Sequence, residues 1–347
     1  MNKKFKIFAA ATIAALSVSA SAMAQETVLR MSSWLPPAHP IVKGMMVPWA
    51  AKVKEVTEGR VSVQILDAPL GPPPAHFDLA ANGIADLTYG VHGYTPGRFK
   101  LTQIAELPFL AKDATSLSVA YWRLYESTLA KANEHRGAKV LGVFTHGPGL
   151  LYTTDRAVSP LSELKGAKIR VAGSITNQLV QAMNMVAIQA PAPQSYEILS
   201  GGIADGIVFP TESIPFFKLD GLLSNGLRVD GGLYNVSFFF IANNAKFSSL
   251  SEADQKAIEA ISGEAFSRLA GAAWDAADAW GLEQMQGKVT IHDAPQKSAL
   301  SWKRPPVQCL TVLPNPTAKK ASTSKLPWTC SRKKLQRLPL KNEWESG

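Results

Sequence analysis

Residues 83–86 of the chain are Gly-Ile-Ala-Asp, and the same four residues recur at positions 202–205. Each copy follows a helix-like segment and precedes an apolar stretch that is typical of a β-strand. A glycine in this place can end a helix in the left-handed conformation, so both copies predict a helix, a turn and a strand. Two interpretations are open. Four small, common residues can repeat by chance, or the chain contains two lobes built on similar βαβ units.

Strands and helices alternate along the rest of the chain. Short β-rich stretches predict strands at 27–31, 60–65, 86–91, 138–144, 168–171, 186–190 and 206–209. Helices are predicted between them at 48–57, 117–132 and 175–185, and another helix is predicted to end at 79–82. This order is typical of α/β proteins with largely parallel sheets. The length of 347 residues allows the core to be divided between two lobes.

The second half of the chain adds two long apolar features. The run 234–241 is almost continuously apolar and predicts a buried strand. Ser251 begins a proline-free stretch that reaches Lys288, with Asp254 as a weak capping signal three residues further on. Apolar residues at helical spacing follow, so we expect one long helix here.

The repeat also indicates where a ligand would bind. In open α/β sheets, ligands bind beyond the carboxyl ends of the strands. The strand after the first Gly-Ile-Ala-Asp copy ends near Tyr89–His92, and the strand after the second copy ends at Phe209 and Pro210. We therefore expect these residues to face a cleft between the lobes.

The first 24 residues resemble an export signal. Lys3, Lys4 and Lys6 precede a short apolar run, and small residues ending at Ala24 follow. A basic head, a short apolar middle and an Ala-x-Ala end predict a cleaved secretory signal, and the run is too short to span a bilayer comfortably. We expect cleavage after Ala24 and a periplasmic protein; an amphipathic first helix is the alternative.

The formal net charge of +9 suggests nucleic-acid binding until its distribution is considered. The first 24 residues carry three lysines, and residues 301–347 carry ten lysines and arginines against two glutamates. Residues 25–300 therefore have a net charge of −2. Since the expected globular part is slightly acidic, no nucleic-acid partner is predicted.

Residues 301–347 differ in composition from the rest of the chain. They hold six prolines and both cysteines, Cys309 and Cys330, and they show no helical period. An exported protein could join the two cysteines in a disulfide. Two explanations are open: a disordered basic tail, or a frameshift or sequencing error near residues 296–302.

Enzyme signatures are missing from the sequence. It contains no phosphate-binding loop, no Gly-x-Ser-x-Gly and no His-Glu-x-x-His, and its six histidines lack the spacing of metal ligands. No catalytic residue, metal or cofactor is therefore predicted. An exported two-lobed α/β protein without such motifs is most simply a ligand-binding protein. The alternative is an exported enzyme that acts on organic acids.

Four segments, in order, resemble solute-binding proteins of tripartite ATP-independent periplasmic (TRAP) transporters. Residues 161–171 (LSELKGAKIRV) resemble the D-L-K-G-x-K-I-R segment of that family. Residues 32–40 resemble the loop after its first strand, and residues 196–206 resemble its Y-x-A-L-Q-x-G-x-x-D-G element. Residues 243–258 resemble the run into its long helix. The resemblance covers residues 26–295.

The resemblance implies a two-lobed periplasmic binding protein. Each lobe would have a mixed, largely parallel sheet flanked by helices, and hinge strands and a long helix would join the lobes. Lobe 1 is expected at 25–148 with 236–275 returning to it, and lobe 2 at 149–235 with 276–300. The implied partners are a small organic acid and the TRAP membrane permease subunits. A receptor for an ATP-driven (ABC) importer is the alternative, and a homodimer is left open.

In such proteins the arginine that matches Arg170 forms a salt bridge with the ligand carboxylate. A guanidinium group suits this role because its planar fork of donors matches both carboxylate oxygens and keeps its charge. Without the resemblance, a surface arginine at a strand end would be the simpler interpretation.

Departures from the family pattern indicate the kind of acid. Leu150 aligns with a second arginine of some acidic-sugar receptors, Phe209 aligns with an asparagine, and Gln194 replaces a common glutamate. Unpaired sugar hydroxyls against Leu150 and Phe209 would cost about 1–3 kcal/mol each. We therefore expect a partly apolar hydroxy- or oxo-monocarboxylate. The pocket is predicted to contain Trp34, His39, Tyr89, His92, Leu150, Arg170 and Phe209.

Overall fold

A computed structural model describes residues 26–110 and 112–294, so the predicted export signal and the C-terminal tail lie outside the described residues. The strands are β1 (Thr27–Ser32), β2 (Val61–Ile65), β3 (Leu87–Val91), β4 (Ala138–Thr145), β5 (Leu150–Thr153), β6 (Lys168–Val171), β7 (Val186–Gln189), β8 (Gly206–Phe209), β9 (Asn225–Arg228), β10 (Ser237–Asn243) and β11 (Thr290–Asp293). The α-helices are α1 (Val47–Val56), α2 (His76–Ala81), α3 (Ala114–Ser127), α4 (Ser174–Ala182), α5 (Ser195–Ser200), α6 (Ser213–Phe216), α7 (Asn244–Ser248), α8 (Glu252–Ala260) and α9 (Glu264–Gln284). Within these ranges, no helix combines the length and the apolarity needed to cross a membrane.

The strands form two mixed sheets, each flanked by helices. The first sheet has the order β2-β1-β3-β10-β4, in which β10 runs antiparallel to both of its neighbours. The second sheet has the order β11-β9-β5-β8-β6-β7, in which β5 runs antiparallel to β8 and β9. We call the parts of the chain around these sheets the first and the second lobe. The predicted two-lobed α/β fold is confirmed.

Both lobes contain the same β-α-β-α-β unit. In the first lobe β1 lies between β2 and β3, in the second lobe β6 lies between β7 and β8, and all of these neighbours are parallel. The two Gly-Ile-Ala-Asp copies join α2 to β3 and α5 to β8, which are equivalent places. Gly83 and Gly202 have φ values of 74° and 65°, as a helix-ending glycine requires.

The aspartates of the two copies make the same hydrogen bond. Asp86 Oδ2 accepts from the Arg30 backbone N–H of β1 at 2.7 Å. Asp205 Oδ2 accepts from the Lys168 backbone N–H of β6 at 2.8 Å. Each aspartate thus ties the start of the third strand of its unit to the first strand. The repetition is therefore structural and not accidental.

The long helix expected after Ser251 is interrupted. The Ser251 hydroxyl accepts the Asp254 N–H at 3.1 Å, so the predicted cap is present, but α8 ends at Ala260. Gly263 then adopts a φ of 60° and its N–H donates to the Leu141 carbonyl, after which α9 begins. The expectation of one helix was wrong because a glycine with positive φ redirects the backbone without any proline.

Two backbone segments cross between the lobes. Residues 146–149 connect β4 to β5, and residues 229–236 connect β9 to β10. The Gly149 N–H donates to the Tyr234 carbonyl at 2.9 Å, and the Leu233 N–H donates to the Gly149 carbonyl at 3.1 Å. The crossing segments are therefore paired with each other, as hinge strands would be.

Helix α9 contacts both lobes. Near the middle of the helix, the Asp275 carboxylate accepts the backbone N–H groups of Ala114 and Thr115 at the start of α3. In its second half, Asp278 Oδ1 accepts the Glu212 backbone N–H after β8 at 3.1 Å. Gly281 lies so close to the second lobe that an added Cβ would be 2.6 Å from Glu212 Cα. The helix thus packs against both lobes along one side of the molecule.

Replacement of Gly281 by alanine should therefore destabilise the protein. The added methyl group overlaps the Thr211–Glu212 backbone, and such overpacking costs about 1–3 kcal/mol. Because the overlapped atoms belong to the backbone and lie only 2.6–2.7 Å away, we expect the upper part of this range, which exceeds the gain of about 1 kcal/mol in helix propensity. Urea unfolding should show a net loss of stability for Gly281→Ala. Ala276→Ser, at an exposed position of the same helix, should stay within about 0.5 kcal/mol of the wild type. A Gly281→Ala variant as stable as the wild type would contradict the close packing.

Candidate ligand-binding site

A cleft lies between the two lobes, at the carboxyl ends of β3 and β8, and its empty space together with its opening to solvent is about 400 Å³. Seven of its eighteen lining residues are aromatic, and its walls come from both lobes, the crossing segments and α9. The aromatic lining residues are Trp34, Tyr94, Phe209, Phe217, Tyr234, Phe238 and Trp274. The polar and charged lining residues include His39, His146, Arg170, Glu212 and Ser213. Val91 at the end of β3, and Phe209 and Pro210 at the end of β8, are among its lining residues.

The Arg170 side chain is fully buried at the wall of this cleft. It projects from β6, and its Nε and Nη2 donate to the Ala190 carbonyl at 3.0 and 2.5 Å. Its Cζ lies 4.8 Å from the centre of the Phe209 ring. Nη1 has no hydrogen-bond partner among the described residues. Because a buried, unpaired charged donor is costly, this atom is suited to bind an anion.

Two indole groups also have buried N–H donors at the cleft. Trp34 Nε1 and Trp274 Nε1 lack an acceptor within the described part of the chain. The Trp34 ring packs on Tyr89 with ring centres 5.6 Å apart. The Tyr89 hydroxyl is hydrogen-bonded to Ser33 Oγ at 3.1 Å, so Tyr89 supports Trp34 from behind.

His39 and Glu212 approach each other from opposite lobes. His39 Nδ1 accepts the Ile41 backbone N–H at 3.2 Å, which leaves the ring proton on Nε2. Nε2 lies 4.0 Å from Glu212 Oε2, and Ser213 Oγ donates to Glu212 Oε1 at 2.7 Å. Burial lowers the pKa of His39 to about 3. Burial, followed by the nearby Asp278 carboxylate, raises the pKa of Glu212 well above its usual range.

His146 on the first crossing segment presents an acceptor to the cleft. Its Nδ1 donates to the Gly147 carbonyl at 2.5 Å, so Nε2 of the neutral ring carries a lone pair. Burial lowers the pKa of His146 to about 4, which keeps the ring neutral near pH 7. The His146 ring lies 5.7 Å from that of Trp274, so this end of the cleft is both aromatic and polar.

The composition of the cleft favours an anion over a metal ion. Arg170 and the two indoles offer donors, whereas Glu212 supplies the only carboxyl group among the described lining residues. In the described ranges, no group of three His, Cys, Asp or Glu side chains could hold a metal ion. The site is therefore equipped to bind a carboxylate between aromatic walls.

The lobes touch each other beside the cleft. The Ala192 backbone N–H of the second lobe donates to the Tyr94 hydroxyl of the first lobe at 2.9 Å. Gly93 and Gly173 meet backbone to backbone, since a Cβ on Gly93 would be 3.0 Å from Gly173 Cα. The His39 ring lies 4.0 Å from the Phe216 ring. These contacts describe a closed arrangement of the two lobes.

The cleft brings together some of the predicted site residues. Arg170, Trp34, His39 and Phe209 line it together.

Tyr89, His92 and Leu150 are not part of the cleft's described lining. Tyr89 lies behind Trp34. His92 follows β3 on the face opposite to Val91, and there it is bonded to His135 and Ser237 at 2.8 and 3.0 Å. Leu150 is buried beside Phe209 in the second sheet.

Sequence reasoning missed several lining residues. Glu212 follows β8 by three residues, so the rule that selected Phe209 and Pro210 would have reached it with a slightly wider window. Tyr234 belongs to the apolar run that was assigned to a buried strand. Trp274 is one of many apolar residues of α9, and no local signal distinguishes it.

Comparisons with known proteins agree with this site. Residues 31–304 match the family model DctP, described as bacterial extracellular solute-binding protein, family 7. A TRAP periplasmic solute-binding protein from Bordetella bronchiseptica, solved with bound (R)- and (S)-mandelate, is 38% identical with a TM-score of 0.77, and the match covers 80% of this chain and 90% of that chain. A marine metagenome TRAP solute-binding protein from an unidentified microbe, specific for aromatic acid ligands and solved with metahydroxyphenylacetate, is 32% identical with a TM-score of 0.76, covering 80% and 88%.

A curated relative extends the comparison. The protein named outer membrane transporter protein TsaT, from Comamonas testosteroni, is 35% identical over 269 residues, which cover 77% of this chain and 79% of that protein. The family and the two solved relatives are solute receptors of TRAP transporters, neither ABC-importer receptors nor enzymes. This protein belongs to the bacterial extracellular solute-binding proteins of family 7 and is a TRAP-type receptor that binds a small organic acid outside the cytoplasm for delivery to membrane subunits.

Proposed function

We propose that the ligand is an aromatic monocarboxylate whose carboxylate is bound by Arg170. The observation that carries this proposal is the buried guanidinium, with an unpartnered Nη1 among the described residues, at the wall of an aromatic cleft. A carboxylate at Nη1 would complete the hydrogen bonding of a charged group that is otherwise buried at a cost.

The walls of the cleft support a ring in the ligand. Phe209 lies against the Arg170 guanidinium, and the Phe217 ring is stacked on Phe209 with ring centres 5.8 Å apart. Phe209 offers no hydrogen bond to the hydroxyl groups of a sugar acid. The bound ligands of the two solved relatives, mandelate and metahydroxyphenylacetate, are aromatic monocarboxylates and support the same class.

The ligand is also proposed to favour the closed arrangement. Arg170 and Phe209 belong to the second lobe, whereas Trp34 and His39 follow β1 of the first lobe. A ligand that contacts both sets binds the closed state more tightly and shifts the population towards it.

We propose the lobe boundaries given by the sequence, with 236–275 returning to lobe 1 and 276–300 to lobe 2. The mature protein is proposed to begin at Gln25, and size-exclusion chromatography distinguishes a monomer from a homodimer.

Arg170→Lys should weaken the binding of benzoate by about 10–100-fold. The lysine keeps the charge but loses the planar fork that bonds Ala190 and the ligand together. Isothermal titration of the mature protein measures the change, and a thermal scan verifies that the variant is folded. Arg156→Lys, an arginine of the same lobe whose side chain is 40% exposed, should bind benzoate like the wild type. Equal affinity of Arg170→Lys and the wild type would refute the carboxylate role of Arg170.

Phe209→Asn should reduce benzoate affinity by about tenfold or more. The substitution removes ring contact with the ligand and with Phe217, and it adds an amide to an apolar wall. Phe209→Leu keeps an apolar wall and should lose less. Titration of both variants with benzoate tests this order. Stronger benzoate binding by the asparagine variant than by the leucine variant would contradict an aromatic-acid cleft.

Gly93→Val should weaken benzoate binding by obstructing closure. The valine side chain would meet the Gly173 backbone of the other lobe, where even a Cβ is closely packed. We expect a loss of about tenfold, since a partly obstructed closed state reduces apparent affinity in proportion to its population. Gly221→Val is the control, because a Cβ added there meets nothing within 4 Å among the described residues. Unchanged affinity for Gly93→Val would show that this closed contact is not needed for binding.

A further inference from the structure

The cleft contains a second polar position in addition to Arg170. His39 Nε2 and Glu212 Oε2 lie 4.0 Å apart, and the side chains of both residues are only 1% exposed. Neither atom has a hydrogen-bond partner in the described ranges of the chain. Because buried polar atoms are usually paired, two such atoms facing each other across a ligand cleft indicate that a ligand group belongs between them.

The remaining polar atoms of this pair are already used. His39 Nδ1 is occupied by the Ile41 N–H, so the ring directs an N–H donor from Nε2. Glu212 Oε1 accepts from Ser213, and the Glu212 backbone N–H donates to Asp278. The side chains are thus held in place with one histidine donor and one carboxyl oxygen left for a ligand.

We infer that His39 and Glu212 bind a hydroxyl group of the ligand, which is therefore a hydroxy-substituted aromatic monocarboxylate. This inference rests on the proposed function. A hydroxyl oxygen about 2.8–2.9 Å from both atoms closes a triangle with an angle of about 90° at the oxygen, within hydrogen-bond geometry. The hydroxyl accepts from His39 Nε2–H and donates to Glu212 Oε2.

Other groups fit this position less well. A C–H group leaves both buried atoms unpaired. A keto oxygen accepts from His39 and from a protonated Glu212, but it has no hydrogen to donate to an ionised Glu212. A hydroxyl group satisfies Glu212 in either protonation state, because it donates to the carboxylate and accepts from the protonated acid.

His39 and Glu212 belong to different lobes, so a hydroxyl group bound by both contributes to closure. His39 follows β1 of the first lobe, and Glu212 follows β8 of the second lobe. A hydroxyl bound between them therefore connects the lobes directly. Hydroxy acids should stabilise the closed arrangement more than their deoxy counterparts.

The test compares acids that differ only by a hydroxyl group. Titration calorimetry measures mandelate against phenylacetate, 3-hydroxyphenylacetate against phenylacetate, and 3-hydroxybenzoate against benzoate. The first pair tests a hydroxyl next to the carboxylate, and the other two test a ring hydroxyl. In at least one pair the hydroxy acid should bind the wild type about tenfold more tightly or better. If all three ratios stay within twofold, the inference is overturned.

Substitutions of His39 and Glu212 test whether these two residues cause the difference in affinity between a hydroxy acid and its deoxy counterpart. Glu212→Met keeps the length of the side chain and removes both oxygens, and His39→Phe removes both nitrogens. In each variant the hydroxy acid and the deoxy acid should bind with nearly equal affinity, because the deoxy acid still binds and the hydroxyl group has lost a partner. Glu197→Met on the exposed face of α5 should leave the ratio unchanged. A ratio that survives both cleft substitutions overturns the inference. If one variant does not fold, the other decides. Failure of every monocarboxylate to bind the wild type would instead refute the proposed function.

Discussion

The buried guanidinium of Arg170 is the feature on which the site depends. Two of its nitrogens are fixed by one carbonyl, that of Ala190, so the plane of the group is set before any ligand arrives. The third nitrogen, Nη1, has no protein acceptor among the described residues, and Arg170 lines the cleft. The Phe209 ring lies beside the group, with its centre 4.8 Å from Arg170 Cζ. A preorganised, partly desolvated cation of this kind favours carboxylates because the cost of its burial is offset only by an anion.

The fold holds this cation in a cleft that both lobes enclose. Two copies of one βαβαβ unit direct the carboxyl ends of their strands towards each other, and the paired crossing segments join the lobes. Helix α9 approaches both lobes closely, with the Gly281 backbone against the second. Contacts such as Gly93 against Gly173 then limit how far the lobes can close. The ligand site and the contacts between the lobes are consequently formed by neighbouring residues.

Much of this architecture was accessible from the sequence, and the limits have physical causes. The repeated Gly-Ile-Ala-Asp was informative because its glycine and aspartate each have a backbone task that few other residues perform. Arg170 was selected through the family resemblance, since burial of an arginine cannot be derived from strand periodicity. His92 was misplaced because a strand end fixes the position of a residue but not the face to which its side chain turns. Trp274 and Glu212 become neighbours of the cleft only through tertiary packing.

The most direct test is a crystal structure of the mature protein grown with benzoate. The account predicts a carboxylate oxygen about 3 Å from Arg170 Nη1, within hydrogen-bond distance, with the ring of the ligand beside Phe209 and the lobes closed as described. A benzoate molecule bound elsewhere, or one in the cleft whose carboxylate is bonded to other groups while Nη1 remains unpaired, would contradict it.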